Sequence, residues 1–226
     1  MIQAVFFDFD GTLADTAPDL VNAANQQRLY AGLPPLPFEA LRSSSSQGAI
    51  GLLKTALSLT PEDPLYEATR EQFILDYTKC MTDKTALFDG VDTLLTTLEE
   101  RGLRWGIVTN KAEKLSFPIF RHLNLEQRSA ANICGDTAAR PKPYADPLLL
   151  AAEKAGVLPA HCIYVGDDER DIQAGKAAGM KTIAVTYGYS PTPELIPQWG
   201  ADIIVDSPDA LLATILGMVD KPIQSV

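Results

Sequence analysis

Ala4-Val5-Phe6-Phe7-Asp8-Phe9-Asp10-Gly11-Thr12 is the stretch on which the reading of this 226-residue chain turns. Apart from Asp8, the run Ala4–Phe9 is apolar throughout, too uniformly so for an edge strand with one wet face. It reads as a buried strand. A buried, unpaired carboxylate is costly, so Asp8 needs a partner or a task. Asp10-Gly11 alone is an ordinary turn signal after a strand, and that signal leaves Asp8 unexplained.

Further along the chain the same kind of run recurs at Trp105–Thr109, Asn132–Gly135, Ile163–Gly166, Thr182–Val185 and Ile203–Val205. Helix-like segments separate these runs: Val91–Arg101, Ala112–Leu123, Asp146–Ala155, Glu169–Ala178 and Asp209–Met218. Such alternation predicts an α/β fold, a Rossmann-like parallel sheet covered on both faces. From about Asp15 to Lys84 the pattern is helical and shows no strand. Thr16 or Asp15 is expected to cap a first helix that has Pro18 in its first turn and ends at Gly32. Further helices are expected over Leu52–Leu59 and Leu65–Met81, and Ser43–Ser46 reads as a loop. The expected division is a core of residues 1–14 and 85–226 with an all-helical cap domain, residues 15–84, inserted after the first strand.

Composition narrows the function. A formal net charge of −10 argues against a nucleic-acid backbone as partner, which needs a basic surface. A small phosphorylated metabolite is still compatible, because a metal and a few local cations reverse the sign at one site. Cys80, Cys134 and Cys162 form no close pair and read as free thiols. The N-terminal segment lacks the pattern of a signal peptide, and no apolar stretch is long enough to span a membrane. A cytoplasmic location is the expectation. Nothing in the sequence assigns an oligomeric state.

Ligands of open parallel sheets bind beyond the carboxyl ends of the strands. Asp8 and Asp10 end the first strand, Thr109 and Asn110 the second, and Asp167 follows the strand at Gly166. Two carboxylates as close as Asp8 and Asp10 repel and call for a cation; Mg²⁺, a hard oxygen-seeking ion, suits them. Asp167 is placed for direct ligation, and Asp171, a helical turn later, would hold a metal-bound water or orient Lys142. Acids at a helix start also complement its dipole, which explains Asp168 and Glu169 better than Asp167. A loop lysine is usually solvated, but Lys142 sits between Pro141 and Pro143, which stiffen its backbone. Thr109 would donate to a phosphoryl oxygen, and the amides of Gly11 and Thr12 would face one. Together these groups supply the parts of phosphoryl transfer: Asp8 as nucleophile, Asp10 as proton carrier, and Lys142 for charge.

In this order the four motifs, Asp8–Thr12, the Thr109 strand end, Lys142 and Gly166–Asp171, resemble the haloacid dehalogenase superfamily. That resemblance implies a helical cap and Mg²⁺ held by Asp8, the Asp10 main-chain carbonyl and Asp167. Val165–Met180 and Val185–Tyr189 are similar to phosphoglycolate phosphatases. Trp105–Lys111 and Trp199–Pro208 are similar to N-acetylmuramic acid 6-phosphate phosphatases. A phosphoglycolate phosphatase-like activity is the first expectation and the muramic acid ester the alternative, with a sugar phosphomutase as the rival of another class. Arg42, beside the serine run, is expected to pair with a substrate carboxylate. His122 and His161 are isolated, and Trp105 and Trp199 read as packing residues.

Overall fold

A computed structural model describes residues 1–190 and 192–219. In chain order its elements are β1 (Ala4–Phe7), β2 (Ala14–Asp15), α1 (Ala17–Tyr30), α2 (Phe38–Arg42), α3 (Gly48–Leu57), α4 (Tyr66–Cys80), β3 (Ala86–Leu87), α5 (Val91–Glu100) and β4 (Arg104–Val108). There follow α6 (Glu113–His122), β5 (Asn132–Ile133), α7 (Asp146–Ala155), β6 (Cys162–Gly166), α8 (Glu169–Ala177), β7 (Lys181–Val185), β8 (Ile203–Val205) and α9 (Pro208–Val219).

Six strands make one parallel sheet in the order β5-β4-β1-β6-β7-β8. Successive residues of a strand face opposite sides, and β1 shows why its run is apolar. Val5 and Phe7 enter a core with Leu95 of α5, Ile119 of α6 and Ile215 of α9. Ala4 and Phe6 enter a second core with Leu148 of α7 and Ala174 of α8. Both faces are covered, so neither has a wet side to pattern with polar residues. Strand order reverses at β1, with β4 on one side and β6 on the other; open sheets bind ligands at such a reversal. Phe7 pairs with Ile107 and with Val165. The residues that follow these three strands therefore leave at one edge.

Between β2 and β3 the chain is helical. Gln27 of α1 donates to the buried Asp76 of α4 at 3.0 Å. Asp19 accepts from the amides of Lys84 (3.1 Å) and Thr85 (2.9 Å) and from the Thr85 hydroxyl, which ties the returning chain to α1.

Four local features differ from the sequence expectations. β1 stops at Phe7; the Asp8 amide still donates to Val165 O at 2.8 Å, and the chain then turns at Gly11. Ser43–Gln47 is a 3₁₀ helix, not a loop. β2 and β3 pair antiparallel at the two ends of the helical segment, and two-residue strands are too short to show a period. Thr16 makes no side-chain cap on α1. Instead the Tyr189 hydroxyl accepts the Thr16 and Ala17 amides at 2.6 and 3.0 Å. The three cysteines are free thiols. Among the described residues no helix is long and apolar enough to cross a membrane.

Candidate active site

Asp8 leaves β1 at the sheet edge and meets Lys142, whose ammonium is almost fully buried. Lys142 Nζ donates to Val108 O (2.9 Å), Tyr164 OH (2.9 Å) and Asp171 Oδ1 (2.7 Å). An ammonium has only three N–H groups, and four oxygens crowd this one. Asp8 Oδ1, 2.8 Å from the same nitrogen, forms an ion pair with it in competition with Val108, Tyr164 and Asp171 and has no other donor. Burial pushes the Asp8 carboxyl up to about 7; Lys142 opposes the rise and Asp171 adds to it. Burial also works against the charge of Lys142, but Asp171 and Asp8 outweigh it and its pKa is raised.

Carboxylate oxygens of Asp8, Asp167 and Asp171 lie within 4.8 Å of one another. Three acids meet one ammonium, a deficit of two charges, which is the charge of a divalent cation. Burial, followed by repulsion from Asp8 and Asp171, lifts Asp167 well above the ordinary carboxylate range. An all-oxygen donor set of three carboxylates crowded within reach of one another fits a hard divalent ion. The acids divide the work. Asp171 Oδ1 accepts from Lys142 and Tyr164, and its Oδ2 accepts the Asp168 amide at 3.1 Å. It also closes the capping box of α8. Asp167 accepts one donor per oxygen, Thr12 Oγ1 at 2.9 Å and the Tyr189 amide at 2.8 Å, leaving a lone pair free on each. Gly11 (φ +87°) and Gly188 both press on this carboxylate; a Cβ at either position would sit 2.3 Å from an Asp167 atom.

Asp10 lies at the next turn. Its Oδ1 accepts from Lys111 Nζ and from Thr16 Oγ1, each at 2.5 Å. Lys111 is itself half-buried against the Tyr77 ring, with Nζ 5.1 Å from the centroid. These donors occupy one oxygen of Asp10. Lys111 directly follows Thr109-Asn110, but nothing local in the sequence marks it, because its partner lies far away in the chain.

The remaining expected site residues are placed as follows. Thr109 is buried at the end of β4 and lines the cavity, its hydroxyl accepting the Lys111 amide at 3.1 Å. Asn110 also lines it, but its amide clamps the backbone of Lys142, accepting Lys142 N at 2.9 Å and donating to Lys142 O at 3.0 Å. The Gly11 and Thr12 amides donate within the turn, to Ala14 O and Phe9 O, so neither faces a ligand as expected. Arg42 differs most. Its guanidinium donates to the carbonyls of Gly188 (2.9 Å) and Tyr187 (3.3 Å) and lies 5.1 Å over the Tyr189 ring, outside the cavity. Its charge is spent on the sheet edge, not on a substrate carboxylate.

Above the acids lies a cavity of about 710 Å³. Residues 45–50 and side chains of α1 and α4, among them Leu20, Phe73, Ile74 and Tyr77, form its far wall. Two residues that sequence reading left without a role join this wall to the core. Arg170 grips Asp168 at 2.7 and 2.9 Å and donates to Ser46 O at 2.8 Å, while Ser46 Oγ donates to Asp168 at 2.5 Å. Although burial acts against it, Arg170 holds the Asp168 carboxyl down at about 2.

The haloacid dehalogenase-like hydrolase model matches residues 5–185. The chain is 40% identical over 211 residues to the N-acetylmuramic acid 6-phosphate phosphatase of Pseudomonas aeruginosa, covering 93% of each chain. It is 42% identical over 209 residues to the phosphoglycolate phosphatase of Xanthomonas campestris, covering 92% of this chain and 94% of that one. A crystal structure of a predicted phosphoglycolate phosphatase from Haemophilus somnus superposes with a TM-score of 0.82 at 26% identity, over 97% of this chain and 98% of that one. With its acids and lysine gathered at the carboxyl edge of a parallel sheet, the chain belongs to the haloacid dehalogenase-like hydrolases.

Proposed function

We propose that this phosphatase is a Mg²⁺-dependent phosphomonoester hydrolase that forms an aspartyl-phosphate on Asp8, acts on a sugar-sized phosphorylated metabolite, and uses residues 15–84 as a cap. One observation carries the chemistry: the desolvated Asp8 carboxylate, whose Oδ1 meets no donor but the shared ammonium of Lys142 and which sits within reach of two further acids.

Asp8 Oδ1 attacks phosphorus, and the ester P–O bond breaks with its electron pair leaving on oxygen. Asp10, its Oδ1 held by Lys111 and Thr16, delivers a proton from Oδ2 to that oxygen and releases the alcohol. The resulting Asp10 carboxylate then takes a proton from water, whose oxygen attacks phosphorus and expels the Asp8 carboxylate with inorganic phosphate. Asp8, the Asp10 carbonyl and Asp167 would hold Mg²⁺, which supplies the positive charge that the transferring phosphoryl oxygens need. Thr109 and Lys142 face the same oxygens, and Asp171 keeps the lysine oriented.

The cavity supports a substrate larger than phosphoglycolate. Ligand sites of roughly 300–1,000 Å³ suit drug-sized molecules, and about 710 Å³, with a far wall of mixed polar and apolar side chains, is more than phosphoglycolate alone fills. Motif likeness ranks phosphoglycolate first; the size of the cavity supports a sugar phosphate such as N-acetylmuramic acid 6-phosphate instead. The test is phosphate release with Mg²⁺ from phosphoglycolate, N-acetylmuramic acid 6-phosphate, hexose phosphates and nucleoside monophosphates. A preference of about tenfold or more for a sugar phosphate, roughly 1.4 kcal/mol, is expected. Preference for phosphoglycolate would contradict the size argument, and an isomerised sugar phosphate without free phosphate would indicate a mutase.

A further inference from the structure

Buried polar groups almost always find a hydrogen-bond partner. Among the described residues five buried side-chain atoms do not: Asp8 Oδ1, Ser45 Oγ, Tyr66 OH, Tyr77 OH and Asn132 Oδ1. Asp8, Ser45 and Tyr77 line the same cavity. Asp8 is accounted for by the chemistry. Ser45 and Tyr77, 3% and 1% exposed, come from the opposite wall.

Their surroundings fix both hydroxyls. Within the serine run, Ser44 Oγ pairs with Thr55 Oγ1 at 2.7 Å and Ser46 Oγ with Asp168 at 2.5 Å. The 3₁₀ turn leaves the hydroxyl between them, that of Ser45, unpartnered at the cavity. Tyr77 is packed by Phe73, ring centroids 6.3 Å apart, and by Lys111, which is bound to Asp10. That chain of contacts sets the Tyr77 hydroxyl near the carboxylate expected to protonate the leaving oxygen. Burial pushes this hydroxyl up to about 12, Lys111 pulling the other way, so it stays a donor at neutral pH.

We infer that Ser45 and Tyr77 are specificity-determining residues that hydrogen-bond the hydroxyl or carbonyl oxygens of a sugar-like leaving group. This inference rests on the phosphatase reading of the same cavity and adds the groups that recognise the part of the substrate beyond the phosphate. A hydroxyl whose only partner is the ligand differs from a structural one in a measurable way. Removing the Ser45 hydroxyl weakens binding without weakening the fold, because the free protein loses no hydrogen bond. The Tyr77 hydroxyl also meets Lys111, so its role is read from ligand discrimination alone.

The experiment measures binding in Mg²⁺ by titration calorimetry, on an Asp8→Asn background that does not turn over. The ligands are N-acetylmuramic acid 6-phosphate, glucose 6-phosphate and inorganic phosphate, with Tyr77→Phe and Ser45→Ala each compared with their parent. Each variant is expected to weaken a sugar phosphate about three- to tenfold relative to inorganic phosphate, with the Ser45→Ala melting temperature equal to or above the parent's. Equal effects on both ligand types, no effect, or affinity lost together with melting temperature in Ser45→Ala would overturn the inference. Phosphate release by the unmutated enzyme is measured alongside. Its absence from every ester would overturn the phosphatase reading, whereas turnover with unaltered ligand discrimination in both variants would overturn the inference alone.

Discussion

Lys142 Nζ stands 2.8 Å from Asp8 Oδ1 and also donates to Val108, Tyr164 and Asp171. Four oxygens share three N–H groups, so no single one of them holds the ammonium fully. The Asp8 carboxylate thus gains a neighbouring positive charge while its bond to that charge is shared with three competitors.

Lys142→Ala should therefore harm both rate and fold. Loss of one preorganised cation facing the phosphoryl group is expected to lower kcat by about 10²–10³. Leaving Asp8 and Asp171 buried without a counter-charge should cost about 3–5 kcal/mol of stability. Initial rates and urea melts of the same preparation check both. A variant that loses activity with an unchanged melt would contradict the pairing.

Gly11→Ala tests how tightly Asp167 is held. A Cβ there lies 2.3 Å from Asp167 Oδ2, and φ is +87°, a region that disfavours any side chain. The expected result is weaker Mg²⁺ activation, with the half-saturating concentration raised about tenfold or more, and a loss of roughly 1–2 kcal/mol in stability. Mg²⁺ titration of the rate, followed by a melt, reads the two effects.

Metal removal should leave a pH signature. Asp8 is raised to about 7 and Asp167 is also raised, so in chelated protein both bind protons more tightly folded than unfolded. The stability they contribute is complete below the ordinary carboxylate pKa near 3.8. It is lost as pH rises through about 7. Melts in EDTA should fall across that window. Mg²⁺ should offset the fall, and Asp8→Asn should flatten it. A chelated protein equally stable at pH 5 and pH 8 would argue against the crowded acids.

How much of this was legible in the sequence depends on distance along the chain. Short apolar runs ending in polar residues are local signals, and they placed the six strands of the sheet and brought Asp8, Thr109 and Asp167 to one edge. Lys142 was recognisable because prolines flank it. Lys111, Tyr164 and Tyr189 were not, because each acts on a partner brought near only by the sheet: Asp10, Lys142 and Asp167. β2 and β3 were missed for want of length. Arg42 shows the limit most clearly. Its position was read correctly as beside the serine run, but side-chain direction depends on how α2 meets the sheet edge, and it points to the carbonyls of Tyr187 and Gly188.

That placement separates two accounts of Arg42. If it fastens the cap to the core, Arg42→Ala should raise amide exchange across residues 38–57 and lower kcat/KM about five- to tenfold, alike for substrates with and without a carboxylate. Loss confined to carboxylate-bearing substrates would return Arg42 to the substrate-binding role that the sequence suggested.

The central claim is that Asp8 becomes phosphorylated. Mixing enzyme, Mg²⁺ and a turned-over ester, quenching in acid within the first turnover, and reducing with borohydride converts an aspartyl-phosphate to homoserine. Peptide mass mapping then locates the change. The account predicts homoserine at position 8 alone, absent when substrate is omitted. Phosphate release that proceeds through a full turnover with unmodified Asp8, or with the label at Asp10 or Asp167, would contradict it.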